Sequence, residues 1–144
     1  MSIWTGGYEI VENGRRIATW ERSLWTAGGT VEVGGRRYTV RANLLGGTST
    51  MVEIGGARVG TAHTVGHKDW TIEADGATYH FRRALAWRHE EQLHDRGRRL
   101  GAVRRTSIWR DDASANLPGL PRTVEVFALV LVLTTWEWDA AATG

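Results

Sequence analysis

The chain of 144 residues contains no cysteine, only two prolines and a single lysine among its 18 basic residues. Without cysteine it forms no disulfide and offers no thiolate to a metal, which is typical of proteins in a reducing compartment. The N-terminus also lacks the basic start and the 7–15-residue apolar stretch of a signal peptide. We therefore predict a cytoplasmic protein that needs no cofactor for its fold.

The net charge is also small, +2, because 16 acidic residues nearly balance the 18 basic ones. Nucleic-acid-binding domains usually carry a stronger basic excess, so nucleic acid is not indicated as a partner. The length is that of one domain that can bury a sizeable core. We predict a single domain over residues 1–144, with strands over about 8–110, a loop over 111–120 and a helix over about 121–136.

Only one long apolar run is present, eight residues from Val126 to Leu133, followed by Thr134, Thr135 and Trp136. The run is shorter than the roughly 17 to 25 apolar residues of a transmembrane helix. Periodicity alone does not separate a buried strand from a buried helix, but Pro121 and Glu125 suit the first turn of a helix. A helix that is apolar on all sides must be buried on all sides, so the rest of the protein should surround it.

Glycine marks a regular series of turns before this run. Asn-Gly, Gly-Gly and Asp-Gly pairs supply the positive φ angles of a two-residue type I′ hairpin turn, whereas Arg-Gly matches it least well. The segments between the turns alternate in polarity and are rich in β-branched and aromatic residues, as in antiparallel strands. The turn glycines, 20 or 21 residues apart, are Gly14, Gly35, Gly56, Gly76 and Gly97.

This spacing is also compatible with a solenoid, but the residues between the turns do not repeat, which favours a closed or nearly closed meander. We predict an all-β fold with one helix, in which a roughly 12-stranded antiparallel β-barrel of hairpins wraps around the C-terminal helix. A barrel of this size encloses more space than its inward side chains fill. The apolar helix, together with most of the eight tryptophans, is predicted to occupy that space.

The order of these features resembles the tubby-like C-terminal superfamily, which includes the tubby domain, the phospholipid scramblases and the LURP-one-related proteins. The resemblance rests on the glycine hairpins, the polar loop 111–116, the turn 117–121 and the apolar segment 124–131. It implies a twelve-stranded barrel around a central hydrophobic helix, and the preference for arginine indicates an actinobacterial member. The calcium-binding segment of the scramblases and the phosphoinositide-binding residues of tubby have no counterparts here, so neither property is carried over.

Motifs for catalysis or metal binding are weak. The segment from His89 to His94 approaches the H-E-x-x-H zinc motif, but its histidines are five residues apart and would lie on opposite faces of a strand. His63 and His67 are interpreted as solvated loop residues, and the adjacent carboxylates of the 111–112 pair as solvated or capping groups. We therefore predict neither a catalytic residue nor a metal site.

Arginine supplies the one candidate binding surface. Guanidinium groups hold phosphate oxygens by paired hydrogen bonds, and the arginine doublets at 15–16, 36–37 and 82–83 are predicted at strand ends, where both side chains reach water. We predict a non-catalytic module that recognises phospholipid headgroups or another anionic partner at the membrane surface; the alternative is a carrier or enzyme with a pocket at the barrel mouth. The candidate anion-binding residues are Arg96, Arg98, Arg99, Arg104, Arg105 and Arg110.

Overall fold

The computed structural model describes residues 2–4, 7–22, 28–43, 47–84, 89–105 and 113–143. These residues form twelve strands followed by one helix. The strands are β1 (Ser2–Trp4), β2 (Gly7–Glu12), β3 (Arg15–Arg22), β4 (Gly28–Val33), β5 (Arg36–Asn43), β6 (Thr48–Glu53), β7 (Arg58–His63), β8 (Asp69–Ala74), β9 (Ala77–Arg83), β10 (Glu90–Asp95), β11 (Arg98–Arg105) and β12 (Ala113–Asn116), and the helix is α1 (Arg122–Thr143).

The strands form one antiparallel sheet in which each strand pairs with the next along the chain. This confirms the prediction of a β-rich fold built of consecutive hairpins with one C-terminal helix. Within the described residues, however, no hydrogen-bonded ladder joins β1 to β12. Closure of the sheet into a barrel therefore stays a prediction.

Four of the five tight turns have the predicted type I′ character, with two successive residues in the left-handed region. Arg96 adopts this conformation (φ 52°) although it carries a side chain, so the weakest of the predicted turn pairs forms the same turn as Asn13-Gly14. The fifth turn, over residues 54–57, is longer. There only Gly55 has a positive φ, and the backbone N–H of Gly56 donates to the carbonyl oxygen of Glu53.

The apolar segment of the helix is buried around its whole circumference. All eight residues from Val126 to Leu133 are at most 6% exposed, and successive residues of a helix point about 100° apart, so every side of this segment is covered. Because the sheet is the other main element of the described chain, the sheet curves around the helix. The largest fully buried side chains that the strands contribute to the core are Trp20, Val31, Met51, Ile72, Phe81 and Val103.

The helix begins one residue after its predicted start and continues to Thr143, well beyond the predicted end at Trp136. Thr134 and Thr135 do not break it, because each hydroxyl donates to the carbonyl oxygen four residues earlier, at 2.7 and 2.9 Å. The alanines at 140–142 then favour its continuation. The predicted loop over 111–120 also contains a short strand, β12.

Three of the hairpins carry a β-bulge at the same place, three residues after the last glycine of the turn. The bulged residues are Ile17, Val59 and Leu100, in the hairpins β2–β3, β6–β7 and β10–β11. A bulge bends its strand and increases the local twist, which helps a sheet to curve around a helix. Ile17 and Val59 pack against the core, whereas Leu100 is 39% exposed.

Candidate functional site

The five tight turns lie at one end of the sheet. In an antiparallel meander every second connection returns to the same end, so the turns at 13–14, 34–35, 54–57, 75–76 and 96–97 are neighbours there. The turn at Pro118-Gly119, after β12, and the first residue of the helix, Arg122, reach this end too. We call this region the tight-turn end.

Arginine is concentrated at the tight-turn end because it follows most of the turns directly. Nine exposed arginines lie in these turns, within two residues of them or in the first turn of the helix, together with seven carboxylates, so this end holds half of the 18 basic residues of the chain. The arginines are Arg15, Arg16, Arg36, Arg37, Arg58, Arg96, Arg98, Arg99 and Arg122, and the carboxylates are Glu12, Glu32, Glu53, Glu73, Asp75, Asp95 and Glu125.

Only three of the nine arginines form ion pairs with carboxylates of the described residues. These pairs are exposed, and such pairs contribute little to stability, about 0–1 kcal/mol each. They join Arg16 to Glu9 at 3.4 Å, Arg36 to Glu53 at 3.9 Å and Arg122 to Glu12 at 2.9 Å. In the described ranges, no carboxylate lies within 4.0 Å of the other six guanidinium groups, which are therefore available to a partner.

A groove of about 630 Å³ lies at this end, between the hairpins β2–β3 and β4–β5. Arg15, Arg16 and Arg122 line it together with the turn Gly34-Gly35. Glu32 also lines the groove, and Arg16 and Arg122 are ion-paired, so Arg15 is the guanidinium of the described lining that is available to an anion.

Hydrophobic side chains are exposed at the same end. The large hydrophobic residues that the described chain exposes are Val11 (40%), Ile54 (58%) and Leu100 (39%), each in a tight turn or within three residues of one. They belong to the same three hairpins that carry the bulges. Neighbouring hairpins of this set are four strands apart, about 19 Å along the sheet at about 4.8 Å per strand. The three apolar side chains are thus distributed around the tight-turn end, among the arginines.

The predicted arginine site is divided by the structure. Arg96, Arg98 and Arg99 lie at the tight-turn end, whereas Arg104 and Arg105 lie toward the other end of β11, roughly 20 Å from Arg98 at about 3.3 Å per residue. Arg110 lies outside the described residues. Proximity in the sequence was misleading here, because β11 carries its two ends to opposite ends of the sheet.

The prediction for the arginine doublets holds for 15–16 and 36–37, whose side chains are exposed. Arg83 also lies at a strand end, but its side chain is only 26% exposed because it faces the inside of the sheet. Arg83 is paired in register with Glu91 on the inner face of the sheet, and its Nε lies 3.5 Å from Glu91 Oε2. The Glu91 side chain is 3% exposed, and the indole N–H of Trp70 donates to its Oε1 at 3.1 Å. The sequence analysis did not predict this inward pair, although the alternation of inward and outward residues along β9 and β10 places Arg83 and Glu91 on the same face as the buried Phe81 and Leu93.

Glu90, next to Glu91, faces the outer side of the sheet. Its carboxylate accepts hydrogen bonds from Arg104 Nε and from Gln92 Nε2. Burial raises the pKa of Glu90, but the hydrogen bonds from Gln92 and Arg104 outweigh this effect, so its pKa lies below the usual range. Arg104 therefore has a local carboxylate partner, unlike six of the nine arginines of the tight-turn end.

This ion pair predicts a dependence of stability on pH. A carboxyl whose pKa is lower in the folded protein stabilises the fold at neutral pH, and that contribution is lost as the pH falls below about 4.5, its value in the unfolded chain. We expect Arg104→Met to lower the free energy of unfolding by about 1 kcal/mol at neutral pH, and by less at low pH. Urea unfolding at a series of pH values measures this. Arg41→Met, at an exposed arginine without a nearby carboxylate in the described chain, is the control, and a loss in Arg104→Met that stays constant with pH would contradict the prediction.

No group of three or more His, Asp or Glu side chains among the described residues is arranged to hold a metal ion. Within the same ranges, no helix has both the length and the apolar composition needed to cross a bilayer. Comparison with protein-family models, with curated proteins and with solved structures finds no match to this chain.

Proposed function

We propose that this protein is a non-catalytic binding module that places its tight-turn end on a membrane surface rich in anionic phospholipids. The observation that carries the proposal is the position of Val11, Ile54 and Leu100, since the described residues expose these large hydrophobic side chains at the arginine-rich end. Apolar side chains surrounded by arginines suit the boundary between lipid headgroups and acyl chains.

The arrangement suits a flat partner. Three apolar side chains lie on three separate hairpins spread around the end of the sheet, whereas a groove-binding peptide would need a continuous apolar track. Each basic residue near an anionic bilayer contributes about 1 kcal/mol, and full burial of an Ile, Leu or Val side chain contributes about 1.5–3 kcal/mol. Six arginines without a carboxylate partner in the described chain and three partly exposed apolar side chains are enough for reversible binding.

The tubby-like architecture belongs to the same proposal. A meander of twelve strands and a C-terminal helix whose apolar segment is covered on every side support membership of that superfamily and a barrel closed around the helix. A peripheral position on the cytoplasmic face of a membrane is the corresponding location, because anionic lipids are concentrated in that leaflet.

Sedimentation with lipid vesicles tests the proposal. We expect the protein to bind vesicles that contain phosphatidylserine more tightly than vesicles of phosphatidylcholine alone, and to lose this binding as salt is raised. Arg98→Ala with Arg99→Ala should weaken binding by roughly 10- to 30-fold, at about 1 kcal/mol for each arginine. Ile54→Asp with Leu100→Asp should weaken it at least as much, because two acidic side chains replace two apolar ones.

Arg41→Ala is the matched control for the arginine variants, since Arg41 is exposed and lies near the opposite end of β5. It should bind vesicles within about twofold of the parent. Equal binding of the parent to both kinds of vesicle, or equal loss of binding in Arg41→Ala and in the tight-turn variants, would contradict the proposal.

A further inference from the structure

We propose that a second site, a groove on the outer face of β8, β9 and β10, binds a phosphate-type oxyanion between His80, His94 and Arg96. The groove has a volume of about 480 Å³, within the range of sites for small ligands. It borders the tight-turn end at Arg96 and Gly97 but extends along the strands as far as Thr64 and Asp69. The inference does not depend on the membrane proposal.

The register of the strands brings the two histidines together. Thr71 is directly opposite His80, and His80 is directly opposite His94. Residues directly opposite each other in an antiparallel pair have their Cβ atoms about 4.5–5.5 Å apart, so the two imidazoles are neighbours. Their neighbours along the strands, Phe81 and Leu93, are buried, which directs the histidines to the outer face.

The groove offers hydrogen-bond donors and positive charge. Asp69 is the only carboxylate among the described lining residues, and Arg82 Nε donates to its Oδ1 at 2.8 Å. The hydrogen bond from Arg82 also holds the pKa of Asp69 below its usual range, so the two groups neutralise each other. In the described chain no carboxylate lies within 4.0 Å of Arg96, which leaves the groove cationic. The oxygen atoms of a phosphate are acceptors that match this set of donors.

Neighbouring residues extend the same chemistry. Arg99 is paired in register with His94, so a guanidinium adjoins the histidine pair on the side of β11. Gln92 Nε2 donates to Glu90, so Gln92 Oε1 accepts from His94 Nε2–H at 3.0 Å. This hydrogen bond orients the ring, and the donors that remain for an anion come from His80, Arg96 and Arg99. Two histidines can also hold a divalent metal ion, but Arg96 and Arg99 beside them repel a cation and attract an anion. The surroundings therefore favour an oxyanion.

The far end of the groove is held in a rare backbone conformation. Thr64 has a φ of 56°, in the left-handed region that a β-branched residue seldom adopts. Its hydroxyl lies 2.7 Å from the carbonyl oxygen of His63 and 3.0 Å from that of Asp69, which ties the β7–β8 turn to the start of β8. Strain of this kind is concentrated at functional sites, which is consistent with a binding role for this groove.

Inorganic phosphate is the probe for the test, and the ring signals of the histidines in NMR spectra are the readout. We expect phosphate to shift the signals of His80 and His94 saturably, with smaller changes at His67. The double variant His80→Gln/His94→Gln should raise the Kd for phosphate at least about tenfold, because the two rings that line the groove in fixed positions are replaced by flexible amides. His67→Gln, at an exposed histidine in the β7–β8 turn, is the matched control and should leave the Kd unchanged. The absence of saturable shifts, or Zn²⁺ binding at the histidine pair more tightly than phosphate, would overturn the proposal.

Vesicles that contain phosphatidic acid distinguish a lipid headgroup from a free phosphate compound as the source of the oxyanion. If His80→Gln/His94→Gln weakens binding to these vesicles as well as to phosphate, the ligand is a headgroup. If vesicle binding is unchanged while phosphate binding is lost, the ligand is a soluble phosphate ester; both results support the site. A parent protein that binds no vesicles but whose histidine signals still shift with phosphate would contradict the membrane proposal and leave this site supported.

Discussion

Val130→Asp is expected to yield insoluble or unfolded protein. Val130 is completely buried in the middle of the apolar segment of α1, where an aspartate would have no water and no basic partner nearby in the sequence. An unpaired buried charge costs several kcal/mol even after the surrounding structure relaxes. The whole stability of a domain is typically about 5–15 kcal/mol, so this one change removes a large part of it. Truncation after Leu120, which deletes α1, should have the same outcome.

Circular dichroism melting of the purified variants measures this effect, and Ile54→Asp is the matched control. Ile54 is 58% exposed, so the same kind of substitution leaves the new carboxylate in water. We expect Ile54→Asp and Arg99→Ala to melt within a few degrees of the parent, since surface changes usually stay within about 0.5 kcal/mol. A truncated chain that melts cooperatively near the temperature of the parent would show that the sheet folds without the helix.

Glu91→Gln is expected to have the second largest effect, a loss of about 3 kcal/mol in the free energy of unfolding. The substitution keeps an amide oxygen that can accept the hydrogen bond from Trp70, but it removes the negative charge opposite Arg83. Removing one partner of a buried pair leaves the other charge poorly compensated, and such changes typically cost about 3–5 kcal/mol. The lower end of this range applies because the Arg83 side chain is 26% exposed. Urea unfolding at neutral pH measures the loss.

A double-mutant cycle separates the charge effect from other damage. Arg83→Met combined with Glu91→Gln removes both charges, and we expect the double variant to recover much of the stability that Glu91→Gln loses. Asp69→Asn is the exposed counterpart, because the pair of Asp69 with Arg82 lies on the outer face in water; it should leave the melting temperature almost unchanged. If Glu91→Gln unfolds at the same urea concentration as the parent, the inner pair of Glu91 with Arg83 does not stabilise the fold.

Two parts of the fold were predictable because their chemistry is local. A type I′ turn requires a left-handed backbone, which Asn-Gly and Asp-Gly pairs adopt readily. The structure has the expected positive φ angles at Asn13 and Asp75. The segment from Val126 to Leu133 has no polar face, so burial on all sides follows from its composition. The end of the helix was missed because the prediction stopped with the apolar run at Trp136, whereas the alanines at 140–142 favour its continuation to Thr143.

The binding surface was predictable only in part. Arginines that are close in the sequence, such as Arg98 and Arg104, lie toward opposite ends of one strand, whereas Arg15 and Arg98 reach the same end from distant hairpins. A simple rule would have improved the prediction, because alternate connections of a meander share an end. No pattern in the sequence predicts that Leu100 is exposed, since Ile17 and Val59 occupy equivalent bulges and pack against the core.

The sequence by itself determined the hairpins, their turns and the apolar helix, because each of these depends on residues adjacent in the chain. Only the tertiary structure decided which arginines share a surface, that Arg83 turns inward to Glu91, and that His80 lies beside His94. These outcomes depend on strand register and on the curvature of the sheet around the helix. Both arise from contacts between residues far apart in the sequence, where a shift of one residue would move a side chain to the other face.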